Sequence, residues 1–133
     1  MTVSLRKQVL ASQAFQCVEQ RFGENGFDEY LSFARSFPTL IHTCGLAQAL
    51  AFASTRPKES QRHVLHDLEI VICAAESSIQ PDNLTREVRN TSDVSDYIRL
   101  SRLALESAGW IKRYAEALAV TASQPSDEER VDA

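Results

Sequence analysis

Apolar residues along this chain recur at spacings of three and four, and no stretch alternates convincingly between apolar and polar. The few glycines and prolines fall where helices would stop. This pattern predicts an all-α fold, a compact helical bundle of about five to six helices with a long C-terminal helix. The first helix is expected from about Ser4, which suits a cap, to about Phe22, with Gly23 and Gly26 bracketing the turn that ends it. Val3, Leu10, Ala14 and Cys17 form its inner stripe, while Leu5 and Val9 lie on another side, so two surfaces are expected to meet it. Phe27 to Phe37 is helical and aromatic-rich. Pro38 lacks an amide donor and is expected to interrupt or restart that helix. Thr39 to Cys44 then form a short helix, Gly45 makes the break, and Leu46 to Ser54 continue. In that last piece Ala47, Ala49, Ala51 and Ala53 are small enough to let another helix come close.

Pro57 is expected to open the next helix, which runs to about Gln80 with Leu65, Leu68, Ile72, Ala75 and Ile79 on its buried face. Residues 81–92 are polar and suggest a loop with a single helical turn. Ser92 then caps the long final helix, whose first turn holds Asp93 and Asp96 beside the positive end of the dipole. That helix should reach about Ala119. Residues 1–119 are thus expected to make a single helical bundle domain, and 120–133 an acidic tail with no apolar face and no stable order.

The final helix separates into faces. Leu100, Leu103, Ala104, Ile111, Tyr114 and Leu118 share its core arc, and Arg99, Arg102, Glu106 and Arg113 cluster on the far side. Two readings fit the cluster. One is a solvated face on which Glu106 pairs with an arginine, which composition alone favours; the other is a row of guanidinium groups that follows a phosphate backbone. Ile98 and Leu105 sit one heptad apart outside the core arc, and Ile70 and Cys73 depart in the same way from the buried face of the preceding helix. A subunit contact or ordinary enclosure by the first helix would each explain them. Trp110, at the border of core and arginines, suits a packing anchor better than a stacking platform, with Gly109 making room for a neighbouring backbone.

A hydrophobic share of 44% and a charged share of 24% are ordinary for a globular chain, so disorder need not be invoked. No apolar run approaches the roughly 20 residues of a membrane span, and no apolar stretch follows the basic N-terminus as in a signal peptide. The expected setting is cytoplasmic, with no membrane partner. Cys17, Cys44 and Cys73 are widely spaced and odd in number, which excludes a disulfide framework and makes each a small buried filler in a reducing cytosol. The net charge of -4 comes mostly from 120–133, where Asp127, Glu128, Glu129 and Asp132 oppose Arg130 alone. The nearly neutral body can still carry a basic face, although strong unaided binding to bare nucleic acid is not expected. His63 and His66 are three apart but face away from the apolar stripe and lack an obvious third ligand, so no metal site is expected. His42 and Cys44 point in different directions, no phosphate-binding glycine loop exists, and every carboxylate that can be placed falls on a solvated helix face. No enzyme and no cofactor are expected.

Two blocks carry a family resemblance. Ala34-Arg-Ser-Phe-Pro-Thr-Leu-Ile41 leads into Gly45-Leu-Ala-Gln-Ala-Leu-Ala-Phe52; later come Tyr97, Leu100, Trp110 and the run Lys112 to Ala115. Together they resemble the small subunit of the Cmr-type (type III-B) CRISPR effector complex, over roughly Phe27 to Leu118. The resemblance implies a non-catalytic helical subunit of an antiviral ribonucleoprotein. It would stack on copies of itself in an inner filament, contact other subunits of the complex, and line the groove where guide RNA pairs with target RNA. The family's basic positions fall on Arg35, Lys112 and Arg113, to which the helix geometry adds Arg99 and Arg102 as RNA-binding candidates. Ile70, Cys73, Ile98 and Leu105 are the protein-interface candidates. A purely structural adaptor without RNA contact, or a type III-A small subunit, is the alternative.

Overall fold

The computed structural model describes residues 2–76, 78–80 and 83–123. Among them are six α-helices and no strand: α1 (Thr2–Phe22), α2 (Phe27–Cys44), α3 (Leu46–Ser54), α4 (Glu59–Ala75), α5 (Leu84–Asn90) and α6 (Val94–Ser123). The all-α expectation and the long final helix are both found. α6 lies chiefly against α1 and α2, and α4 packs on the same two helices while also touching α3 and α6. The core is one cluster that includes Leu10, Phe37, Leu50, Leu68, Ile72 and Ile111.

Several expected boundaries move, each for a visible reason. α1 begins at Thr2, so Ser4 lies inside the helix rather than capping it. α2 runs straight through Pro38. Proline removes one backbone hydrogen bond and crowds the preceding turn, at about 3 kcal/mol. The packing around it more than offsets this, because Phe37 and Ile41 are buried and Phe33 stacks on Phe37 at 5.3 Å. α4 starts at Glu59, two residues after Pro57, and stops at Ala75. Ile79 is buried as expected, but as a plug in the connection and not as a helical residue. The expected single turn after residue 81 is the seven-residue α5, which anchors through Leu84 and Val88 beside α3. Asp93, and not Ser92, caps α6: its Oδ1 accepts from the amides of Ser95 at 2.8 Å and Asp96 at 3.2 Å. α6 continues to Ser123, and the rest of the expected tail lies outside the described residues.

Two glycines set the chain direction. Gly26, at φ 89°, precedes α2, and a Cβ there would come within 3.0 Å of Ser60 Cβ. Gly45, at φ 87°, both ends α2 by donating to Ile41 O and starts α3 by accepting from Ala49 N. An L side chain at either position would be strained. In α3 the alanines divide: Ala49 and Ala53 are fully buried, whereas Ala47 and Ala51 face solvent.

The largest departure from expectation is a buried carboxylate. Asp67 on α4 is only 1% exposed. Arg21 grips it with a fork, Nε at 3.1 Å from Oδ2 and Nη2 at 3.0 Å from Oδ1, and Tyr30 O–H donates to Oδ2 at 2.7 Å. Burial, reinforced by the Asp67 charge, raises the Tyr30 pKa well above its ordinary value. Burial likewise pushes the neighbouring Cys17 thiol up to about 12, with Asp67 adding and Arg21 opposing. Of the cysteines only Cys17 is the buried filler expected; Cys44 is exposed and Cys73 is half-buried.

Candidate nucleic-acid interface

α1 and α6 run side by side in the same direction, Arg6 and Lys7 facing the first half of α6 and Phe15 meeting Tyr114 farther along. Their inner faces interdigitate in the core through Leu10, Ala14, Leu103 and Ile111. Their outer edges leave two consecutive grooves. The first, of about 450 Å³, is bordered by Arg6, Lys7, Ile98, Arg99, Arg102 and Glu106. The second, of about 280 Å³, is bordered by Lys7, Leu105, Glu106, Gly109, Trp110 and Arg113. Lys7 and Glu106 border both, so the two form one strip along the outer side of α6. Five cations line it against one carboxylate.

The arginines expected on the far face of α6 are therefore brought together, but they differ in availability. Arg99 is ion-paired with Glu76, which tethers it to the end of α4. Arg102 is exposed and has no ion-pair partner among the described residues. The Arg113 guanidinium lies 5.8 Å from the centre of the Trp110 ring. Glu106 pairs with neither Arg102 nor Arg113, although the solvated-face reading supposed it would. Arg35 and Lys112 border neither groove; Arg35 Nε instead lies 3.3 Å from Glu116 Oε2, one turn beyond Lys112. Arg6 and Lys7 were missed by sequence reasoning. Their only signal was two adjacent cations on a helix, and nothing in the chain said which helix they would meet.

The apolar candidates separate too. Ile98 is 45% exposed and borders both the first groove and a smaller one on the opposite flank of α6, where it meets His42, Gly45 and Tyr97. Leu105 is half-buried between that flank and the second groove. Ile70 and Cys73 are half-buried on α4 against the core, apart from the strip. Trp110 is half-buried and stacks on Tyr114, so it does anchor packing. Gly109 does not make room for a neighbour: a Cβ there would meet nothing within 4 Å.

Other chemistry is sparse. Among the described residues no group of three or more His, Cys, Asp or Glu is placed to hold a metal ion. His63 lies 3.6 Å from Glu59, one turn away, and His66 is exposed. His42 and Cys44 border different grooves. No described helix is long and apolar enough to cross a membrane.

Residues 6–118 match the family model described as CRISPR-associated protein (Cas_Cmr5). A curated relative, the CRISPR system Cmr subunit Cmr5 of Thermus thermophilus, is 34% identical over 113 residues, which is 85% of this chain and 95% of the relative. The fold superposes on the crystal structure of a CRISPR-associated Cmr5 family protein from the same organism with a TM-score of 0.77, covering 85% of this chain and 96% of that one at 34% identity.

Proposed function

The chain belongs to the Cmr5 family of CRISPR-associated proteins, and we propose that it serves as the non-catalytic small subunit of a Cmr-type ribonucleoprotein effector, touching the RNA through the α1–α6 strip. The supporting observation is the strip itself, which holds five cations and one carboxylate on a chain whose net charge is -4. Guanidinium groups carried on a rigid helix offer fixed donors to phosphate oxygens without reading sequence. That suits a subunit of a machine in which base pairing between guide and target reads the sequence. The partners on this reading are the other Cmr subunits, further copies of this chain stacked in a filament, and the guide–target RNA held by the complex. Ile98 is the most exposed of the candidate interface residues, with Leu105 beside it, and Ile70 and Cys73 contribute less open surface.

Reconstitution of the complex with Arg102→Glu and Arg113→Glu together tests the reading. Target-RNA affinity is expected to fall at least tenfold at moderate salt while subunit stoichiometry stays unchanged. Each lost phosphate contact should also flatten the dependence of log K on log salt by about 0.7 to 0.9. Unchanged RNA capture in that variant, with assembly lost in Leu105→Asp, would establish a purely structural adaptor.

A further inference from the structure

The second groove of the strip contains the only tryptophan of the chain. Tyr114 covers one face of the indole, with ring centres 5.6 Å apart and planes 21° from parallel, and Phe15 packs edge-on against Tyr114 at 5.3 Å. The ring is thus held firmly from within. Its remaining surface borders the groove together with Leu105 and Glu106 from the preceding turn.

Gly109 decides what the groove is for. Glycine in the middle of a helix is destabilising relative to alanine, so it needs a reason. Close packing is not the reason, because a Cβ at this position would meet open space. What the missing side chain leaves is a bare shelf beside the indole, with Arg113 over the ring at 5.8 Å and Lys7 facing it from α1. Glu106 is the discordant group on this shelf. A carboxylate repels phosphate, yet it accepts hydrogen bonds from the N–H groups on the edge of a nucleobase.

We propose that this shelf takes one unpaired nucleobase of a single-stranded RNA segment, stacked on the indole face opposite Tyr114 with its edge toward Glu106, the exposed Arg113 side chain moving off that face to meet one flanking phosphate and Lys7 the other. Aromatic rings beside cations are the usual elements of single-strand recognition, and every base offers a face to stack. A base inside a duplex has both faces covered by its neighbours and does not enter. The proposal deepens the RNA-contact reading above by adding that the strip distinguishes unpaired from paired RNA.

Because Trp110 is the sole tryptophan, its emission reports the event directly. The full chain would be titrated at about 50 mM salt with a fluorescein-labelled mixed-sequence single-stranded RNA, and separately with the same strand annealed to its complement. Anisotropy measures binding and indole emission measures stacking. The single strand should bind and quench the emission, and the duplex should bind without quenching. Gly109→Leu, which fills the shelf, should weaken single-strand binding about tenfold and remove the quench while leaving the far-UV circular dichroism unchanged. Gly109→Ala serves as the milder substitution if leucine disturbs folding. Binding without quenching, equal quenching by the duplex, or indifference to both glycine variants would overturn the stacking proposal while leaving phosphate contact standing. Absence of binding to either RNA would overturn it as well, and the charge-reversed complex would then judge the wider reading alone.

Discussion

Asp67 is the residue on which the interior depends most. A carboxylate this deep is accommodated because the Arg21 fork and the Tyr30 hydroxyl replace the water it has lost. Asp67→Ala would leave the Arg21 guanidinium, whose side chain is only 13% exposed, with Glu24 at 3.2 Å as its one remaining ion-pair partner, and would strip the buried Tyr30 hydroxyl of its acceptor. A loss of about 3 kcal/mol is expected, at the low end for a broken buried pair because Glu24 still compensates Arg21 in part; urea denaturation of both forms measures it. The sequence itself marks the position. Asp67 lies three residues after Val64 and four before Val71, and both are buried, so its place on the apolar side of α4 was legible. Its partners were not, because Arg21 and Tyr30 reach it from two other helices 46 and 37 positions away.

At the scale of elements, periodicity located all the main helices, and their ends were displaced where a local signal competed with packing. Pro38 is the plainest instance, a strong breaker overruled by Phe37 and Ile41 on the core side of one continuous α2. The start of α6 differs by a single residue, since Ser92 and Asp93 are both good caps and only backbone geometry decides between them. Asp93→Ala should cost about 1 kcal/mol through loss of two capping bonds, whereas Ser92→Ala should be nearly neutral. Paired thermal melts of the two variants check this, and an equal loss in both would contradict the assignment. The arginine face of α6 was readable by the same angular argument that located the core arc. The α1 side of the strip was not, because it depends on which way two helices run past each other.

For the whole molecule, the buried thiol and phenol impose a limit at alkaline pH. The unfolded chain releases the Cys17 proton near the ordinary value of 9.0, and the folded chain holds it until about 12. Between those values the unfolded state binds fewer protons, so raising the pH draws the equilibrium toward it, by up to about 1.4 kcal/mol per pH unit for this one group. Tyr30 acts with the same sign above its ordinary value of 10.0. Urea midpoints should therefore fall between about pH 8 and about pH 10.5, and Cys17→Ala should fall less steeply; parallel slopes would deny the thiol its part.

The Arg21–Asp67 fork also sets axial register. Helices packed through Leu, Ala and Val can slide by a turn with modest change in buried area, but a two-pronged contact fits at one setting only. Arg21 lies fifteen positions after Arg6 on the same rigid α1, roughly 22 Å along its axis. A slip of α1 by one turn against α4 and α6 together would break the fork and carry Arg6 and Lys7 about 5.4 Å along α6, out of step with Arg102 and Glu106. The innermost carboxylate of the bundle thus acts as the detent that keeps its outermost cations aligned.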